Sequence, residues 1–208
     1  MNADHLGDLA GTDVSRETFI RLQRYHDLLL QWSKTHNLIG PKEREQVWER
    51  HIADSLQIWP FVKHANCVLD IGSGAGFPGL VLASVAKASD GPDFILVEAS
   101  SKRCAFLRHV ARELGLKVEV LNARIEDVSR ETPDLITARA VADLSKLLEM
   151  GRPWLENGAK AAFLKGQTAE EELTEARHYW NFKIQSYPSK TDSRGVVLSL
   201  SEVSARHD

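Results

Sequence analysis

The spacing of apolar positions changes character once along the chain. Between residues 15 and 59 they recur at intervals of three and four. From residue 67 onward they fall into short runs separated by helical segments. In the first region Phe19, Leu22, Tyr25 or His26, Leu29 and Trp32 make one stripe, so a helix is predicted from a Ser15 cap to about Lys34. Gly40-Pro41 interrupts regular structure. A second helical pattern covers about 43–59, with Val47, His51 or Ile52, and Leu56 on one side, and should stop near Trp59-Pro60. Residues 1–13 are polar and expected to fray.

In the second region the predicted strands are 67–71, 94–98, 117–122, 134–139 and 159–165. Helices are predicted at 79–86, 101–114, 144–150 and 169–179. The last two strands, 181–188 and 195–203, are separated only by the polar turn 189-SKTDSR-194 and read as a hairpin. Strand and helix alternation implies a parallel sheet covered on both faces. The predicted fold is therefore α/β: a Rossmann-like, mostly parallel seven-stranded sheet ending in an antiparallel hairpin and preceded by N-terminal helices. Residues 1–62 form the helical extension and 63–208 the main domain, in one compact unit.

Composition narrows the class only modestly. The chain has 208 residues, 43% apolar and 26% charged, as expected for a soluble globular protein. No run is long and apolar enough to span a bilayer. The N-terminus MNADHLGDLAGTD lacks the layout of a secretory signal, so a cytoplasmic protein is expected. Cys67 and Cys104 form no C-x-x-C pair and are expected to be buried reduced thiols. The eight histidines show no metal-ligand spacing, so no metal is expected. A net charge of −3 argues against nucleic-acid binding through global charge but leaves room for a local basic patch. No long exposed apolar stripe demands a partner, and a monomer is expected.

The informative stretch is 68-VLDIGSGAGFPGLVLA-83, which carries two fingerprints. Gly74, Gly76 and Gly79 spell the G-x-G-x-x-G of a dinucleotide loop. Asp70, Gly72, Gly74 and Gly76 spell the D-x-G-x-G-x-G of an S-adenosylmethionine loop. A carboxylate at Asp70 would repel a pyrophosphate seated on the helix N-terminus, but would suit a cofactor with a sulfonium and an ammonium. The crowded glycines allow close backbone approach, and the terminal hairpin is not required by a dinucleotide fold. Glu98, at the end of the second strand, can accept both ribose hydroxyls in either cofactor. Ser73 and Ala99, beside these residues, are expected among the cofactor contacts. A nicotinamide-dependent reductase would need a proton donor such as a Tyr-x-x-x-Lys pair, and none of the three tyrosines is read as having that spacing.

The loop 70-DIGSGAGFPG-79 together with 98-EASSKRCAFLRHV-110, 123-ARIED-127, 136-ITARA-140 and 164-LKGQ-167 resembles the bacterial methyltransferase G family, also called glucose-inhibited division protein B. The N-terminal 37-NLIG-40 and 50-RHIADSL-56 resemble its entry segment, so the likeness runs from Asn37 to Gln167. The resemblance implies a class I S-adenosylmethionine-dependent enzyme that methylates guanine N7 in 16S ribosomal RNA, free or in the small ribosomal subunit. It implies cofactor contacts at Gly72, Phe77, Ile125, Glu126 and Arg139. Alternatives are a methyltransferase with another RNA or small-molecule acceptor, and a non-catalytic ribosome-assembly factor.

Guanine N7 is an unprotonated lone pair, so its methylation needs alignment and no general base. The absence of an N-P-P-Y motif after the fourth strand, which ends 137-TARA-140, agrees with this. Arg139 is the residue expected to matter for catalysis, through the methionine carboxylate or guanine O6. The alternative for it is a structural ion pair with Asp70 or Glu126, and Asp143 could orient it. Candidate RNA contacts are Lys165 after the fifth strand, Arg50 and His51 from the extension, and Arg103 on the helix that also carries Lys102, Arg108 and Arg112. His51 could equally pack between helices, and Trp32, Trp48 and Trp59 are expected in the core.

Overall fold

The computed structural model describes residues 2–206. Seven strands form one sheet in the order β3-β2-β1-β4-β5-β7-β6. They are β1 Cys67–Ile71, β2 Asp93–Glu98, β3 Val118–Asn122, β4 Leu135–Arg139, β5 Lys160–Lys165, β6 Trp180–Pro188 and β7 Val196–Ala205. The first five pair in parallel, and β7 is antiparallel to both β5 and β6. This is the doubly covered sheet with a terminal hairpin that the apolar rhythm predicts. The order reverses at β1, whose neighbours are β2 and β4. The ends of β1 and β4 therefore flank the crevice in which such sheets bind ligands.

Eight α-helices are described: α1 Ala3–Ala10, α2 Arg16–His36, α3 Asp54–Leu56, α4 Trp59–Val62, α5 Gly79–Ala86, α6 Ser101–Leu114, α7 Leu144–Leu155 and α8 Ala169–Tyr179. Helix α5 is apolar all round, and every one of its residues is buried. It lies between the sheet and the N-terminal helices. Leu22, Leu29, Ile52, Leu56 and Ile58 of the extension share one core with Leu80, Leu82, Phe94, Phe106 and Leu107. A second core on the other face joins Leu69, Ile136, Phe163 and Leu198 to Leu144, Leu148, Trp154 and Leu173.

Five expectations need correction. Residues 3–10 are helical. Asn2 Oδ1 accepts from the His5 amide, Gly11 closes the helix at φ +59°, and Leu6, Leu9 and Ala10 are buried. The predicted helix over 43–59 is a composite. A 3₁₀ segment, Pro41–Gln46, runs into a π-helix, Val47–Ala53, and then into α3. Pro60 does not end that pattern but sits in the first turn of α4, where its missing N–H costs nothing. Helix α7 passes its predicted end at Met150 and continues through Pro153, because Trp154 and Leu155 anchor its last turn in the core. Both cysteines are free, as expected, but Cys67 is only half-buried while Cys104 is buried.

Candidate cofactor and acceptor site

The loop from Gly72 to Pro78 leaves β1 at its C-terminal end and turns into α5. Gly76 has φ +101°, and a Cβ there would lie 2.5 Å from Leu80 Cδ1 and 2.8 Å from Tyr25 Oη. Only glycine fits, because the loop is pressed between α5 and α2. The fully buried Tyr25 donates its hydroxyl to the Ala75 carbonyl at 2.6 Å, and its ring packs on Phe77. The extension thus braces the loop from below. Ser73 is buried, and its hydroxyl donates to the Asp70 carbonyl at 3.1 Å. On the other side Gly72 faces the Val141 side chain, which ties the β1 loop to the segment after β4.

Asp70 does not reach the ligand side of this loop. It is fully buried, and its Oδ1 accepts from Thr137 Oγ1 at 2.7 Å. Its Oδ2 lies 2.8 Å from where a Gly79 Cβ would be, at the start of α5. Burial pushes its carboxyl up to about 6, and the bond from Thr137 offsets this only in part, since Oδ2 is buried without a hydrogen-bond partner. Asp70, expected to serve the cofactor's cations directly or through water, is thus enclosed in this structure. Asp70 instead occupies the N-terminus of α5 from inside, where a pyrophosphate would sit in a dinucleotide fold.

Glu98 closes the other side. Its Oε2 accepts from the Gly74 amide at 2.9 Å and its Oε1 from the Ser100 amide at 2.7 Å. A carboxylate oxygen has two lone pairs, so one acceptor position remains on each for a ribose diol. The Gly74 amide, which a phosphate would require, is already committed to a carboxylate. The donor set thus fits an adenosyl group with no phosphate, which is S-adenosylmethionine and not a dinucleotide. Beside Glu98, Ala99 is exposed; Ile125 is buried and Glu126 exposed in a single 3₁₀ turn, Ile125–Asp127, after β3.

Arg139 ends β4, and the next residue, Ala140, has φ +55°, a conformation L-residues seldom adopt. Neither expected acid partner is used. Arg139 Nε pairs with Asp54 Oδ2 at 2.9 Å, its Nη2 donates to the Arg50 carbonyl at 2.6 Å, and its guanidinium lies 5.8 Å from the Phe77 ring centroid. Asp143 does not orient it; its carboxylate caps α7 by accepting from the Lys146 amide at 2.8 Å. His51 stacks on Phe77 with centroids 4.8 Å apart. It is nine-tenths buried, and neither ring nitrogen has a partner. Burial, with Arg139 nearby, lowers its pKa to about 4, so it is neutral near pH 7.

Beside Arg139 opens a cavity of about 720 Å³. Its walls are the ends of β4 and β5, the π-helix and the β6–β7 turn, and they include Arg50, Asp54, Lys165 and Arg194. Lys165 is not an open phosphate contact. Its ammonium is nearly buried, 2.5 Å from Glu172 Oε2 and 2.7 Å from the Ala142 carbonyl. The Arg50 side chain is exposed at the cavity lip. Arg103 lies elsewhere, 3.9 Å from Glu98 on the cofactor side. Arg108 donates to the Val120 carbonyl. Trp59 is core, while Trp32 and Trp48 pack partly buried against it. Asp54 and Arg194 were not singled out from the sequence, and Tyr25 was named only as a position of the apolar stripe. Their roles come from contacts far along the chain, although Asp54 lies within the quoted RHIADSL segment. One Tyr-x-x-x-Lys spacing does exist, Tyr179 to Lys183. It spans the junction of α8 and β6 at the far sheet edge, where Lys183 pairs with Glu202, so it serves no reductase site here.

Among the described residues, no cluster of histidine, cysteine and acids could hold a metal, and no helix is long and apolar enough to cross a membrane. Solved structures share the fold. A SAM-dependent methyltransferase from Aquifex aeolicus superposes with a TM-score of 0.58 at 18% identity, covering 81% of this chain and 97% of its own. An O-methyltransferase from Bacillus cereus, in complex with SAH, gives 0.55 at 16% identity over 86% and 91%. Sequence relatives are nearer. The ribosomal RNA small subunit methyltransferase G of Paramagnetospirillum magneticum is 48% identical over 94% of both chains. That of Hyphomonas neptunium is 42% identical over 99% of this chain and 98% of its own. The family described as rRNA small subunit methyltransferase G matches residues 19–196, and the chain belongs to that family.

Proposed function

We propose that the protein methylates guanine N7 in 16S ribosomal RNA, with S-adenosylmethionine as donor, acting as a cytoplasmic monomer. The observation that carries this is family membership over residues 19–196, joined to a loop whose donors and acceptors suit an adenosyl cofactor without phosphate. When bound, the cofactor supplies an electrophilic methyl group on a sulfonium. The protein's own residues bind and align. Glu98 holds the ribose, the Gly72–Phe77 backbone lines the methionine side, Ile125 with Glu126 flanks the adenine, and Arg139 stands between loop and cavity. The cavity volume falls within the range of small-molecule sites, roughly 300–1,000 Å³. It receives the guanine turned out of its stack, with the Arg50 and Arg194 side chains at its rim toward phosphates.

No proton has to leave N7, so no side chain needs to act as a base. Two buried groups with displaced pKa values near the loop fit this. Asp70 faces away from the ligand, and His51 is held neutral beneath Phe77. Alignment of nucleophile, methyl and sulfur can supply roughly 7–11 kcal/mol of the barrier.

The test is transfer from labelled S-adenosylmethionine to free small-subunit RNA and to intact subunits from cells lacking the enzyme. Label in 7-methylguanosine at one position is expected and is lost with Arg139→Ala. Label in a different nucleoside, or cofactor binding with no label in either substrate, rejects the assignment.

A further inference from the structure

Asp54 lies outside the glycine loop and outside the strand ends, yet three parts of the molecule meet at its carboxylate. Its Oδ2 takes the Arg139 Nε–H at 2.9 Å. Its Oδ1 accepts from Thr191 Oγ1 at 2.8 Å and from Gln57 Nε2 at 3.0 Å. Thr191 belongs to the β6–β7 turn. Gln57 clamps that turn, donating to Ser189 Oγ at 3.1 Å and accepting from the Lys190 amide. The Arg139 and Asp54 side chains are 16% and 17% exposed, so water screens the pair only partly. With Nε on Asp54 and Nη2 on the Arg50 carbonyl, the guanidinium plane is set, and donors remain for a ligand carboxylate. Arg139 and Thr191 are joined through Asp54.

We propose that Asp54 is a positioning residue. It sets the plane of Arg139 for the carboxylate of the bound methionine moiety, and it makes that setting depend on the seating of the β6–β7 turn. The inference rests on the cofactor part of the function proposed above and needs no RNA acceptor.

The experiment is calorimetric titration of S-adenosylmethionine and of 5′-methylthioadenosine, which lacks the methionine carboxylate. Both are titrated into the wild type, Asp54→Asn, Thr191→Val, Arg139→Gln, and each of the first two variants combined with Arg139→Gln. Asp54→Asn should weaken S-adenosylmethionine about tenfold and Thr191→Val about threefold, because each loosens a partly buried charged network. Neither should move the 5′-methylthioadenosine affinity by more than about twofold, and neither should add to the loss in Arg139→Gln, since a residue acting through another is non-additive with it. A merely structural role would weaken both ligands alike. Losses that multiply with Arg139→Gln, equal losses for the two ligands, or unchanged affinity in both single variants would each overturn the proposal. Thr191→Val removes one surface hydroxyl and keeps the test open if Asp54→Asn does not fold. A wild type that binds neither ligand overturns the cofactor reading itself, and the proposal with it.

Discussion

Asp70 and His51 are buried on either side of the Phe77 loop and pull on stability in opposite directions over one pH range. The Asp70 pKa rises from 3.8 unfolded to about 6 folded. The folded state therefore holds the extra proton, and the contribution of Asp70 is lost as pH rises from about 4 to about 6. The His51 pKa falls from 6.5 to about 4. Its contribution is present above pH 6.5 and lost as pH falls toward 4. Each proton is worth about 1.4 kcal/mol per pH unit, so the two slopes nearly cancel. Urea unfolding of Asp70→Asn should gain stability as pH rises from 4.5 to 6, whereas His51→Phe should lose it. Parallel slopes in the two variants would rule out this assignment. Of this pair, the sequence marks Asp70 by its place before the glycines, but not its inward orientation. His51 is marked as one of two apolar-face candidates and as either an RNA contact or a packing residue, and only its burial against Phe77 selects packing.

At the level of elements, the glycine loop and helix α2 work as one piece. Tyr25 donates to Ala75, and Gly76 has no room for a side chain beside Tyr25 and Leu80. Tyr25→Phe removes one buried hydrogen bond, worth about 1 kcal/mol, and should lower the melting temperature by about 2–4 °C. Gly76→Ala adds left-handed strain of about 1–3 kcal/mol to the steric overlap. It should melt lower still and lose S-adenosylmethionine binding in the same titration, whereas Tyr25→Phe keeps binding with reduced affinity. Wild-type affinity in Gly76→Ala would show that the loop does not carry the cofactor. The elements themselves were largely legible. The strand β1 and helices α5, α6 and α8 sit at the predicted positions, because apolar period and glycine punctuation are local signals. The π-helix at Val47–Ala53 was not legible. Its winding leaves His51, Ile52 and Ala53 all buried, and the run of polarity there reads equally well as an ordinary helix.

Across the whole molecule, the helical extension is half of one core. Leu22, Tyr25, Leu29, Ile52 and Leu56 cover α5 and α6, whose inner residues would otherwise face water. A chain starting at residue 63 should bind an apolar dye, lose its cooperative melt and fail to bind cofactor, since an uncovered apolar face of that extent is an aggregation surface. A cooperative melt and cofactor binding by the truncated chain would instead make 63–208 an independent domain. The sequence by itself determined the order and kind of elements from Cys67 onward, the parallel sheet with its hairpin, and the loop after β1. Each of these depends on residues a few positions apart. Tertiary structure decided which groups meet. Asp54 and Thr191, separated by 137 positions, bond at 2.8 Å. The C-terminal end of α1, in a segment read as frayed, accepts a bond from Lys190, 182 positions away, and its Leu6, Leu9 and Ala10 are buried in the core. Asp70 faces inward because Thr137 on the neighbouring strand takes its carboxylate. These partners depend on crossovers that bring distant strand ends to one edge of the sheet, and no local pattern of apolar and polar residues carries that information.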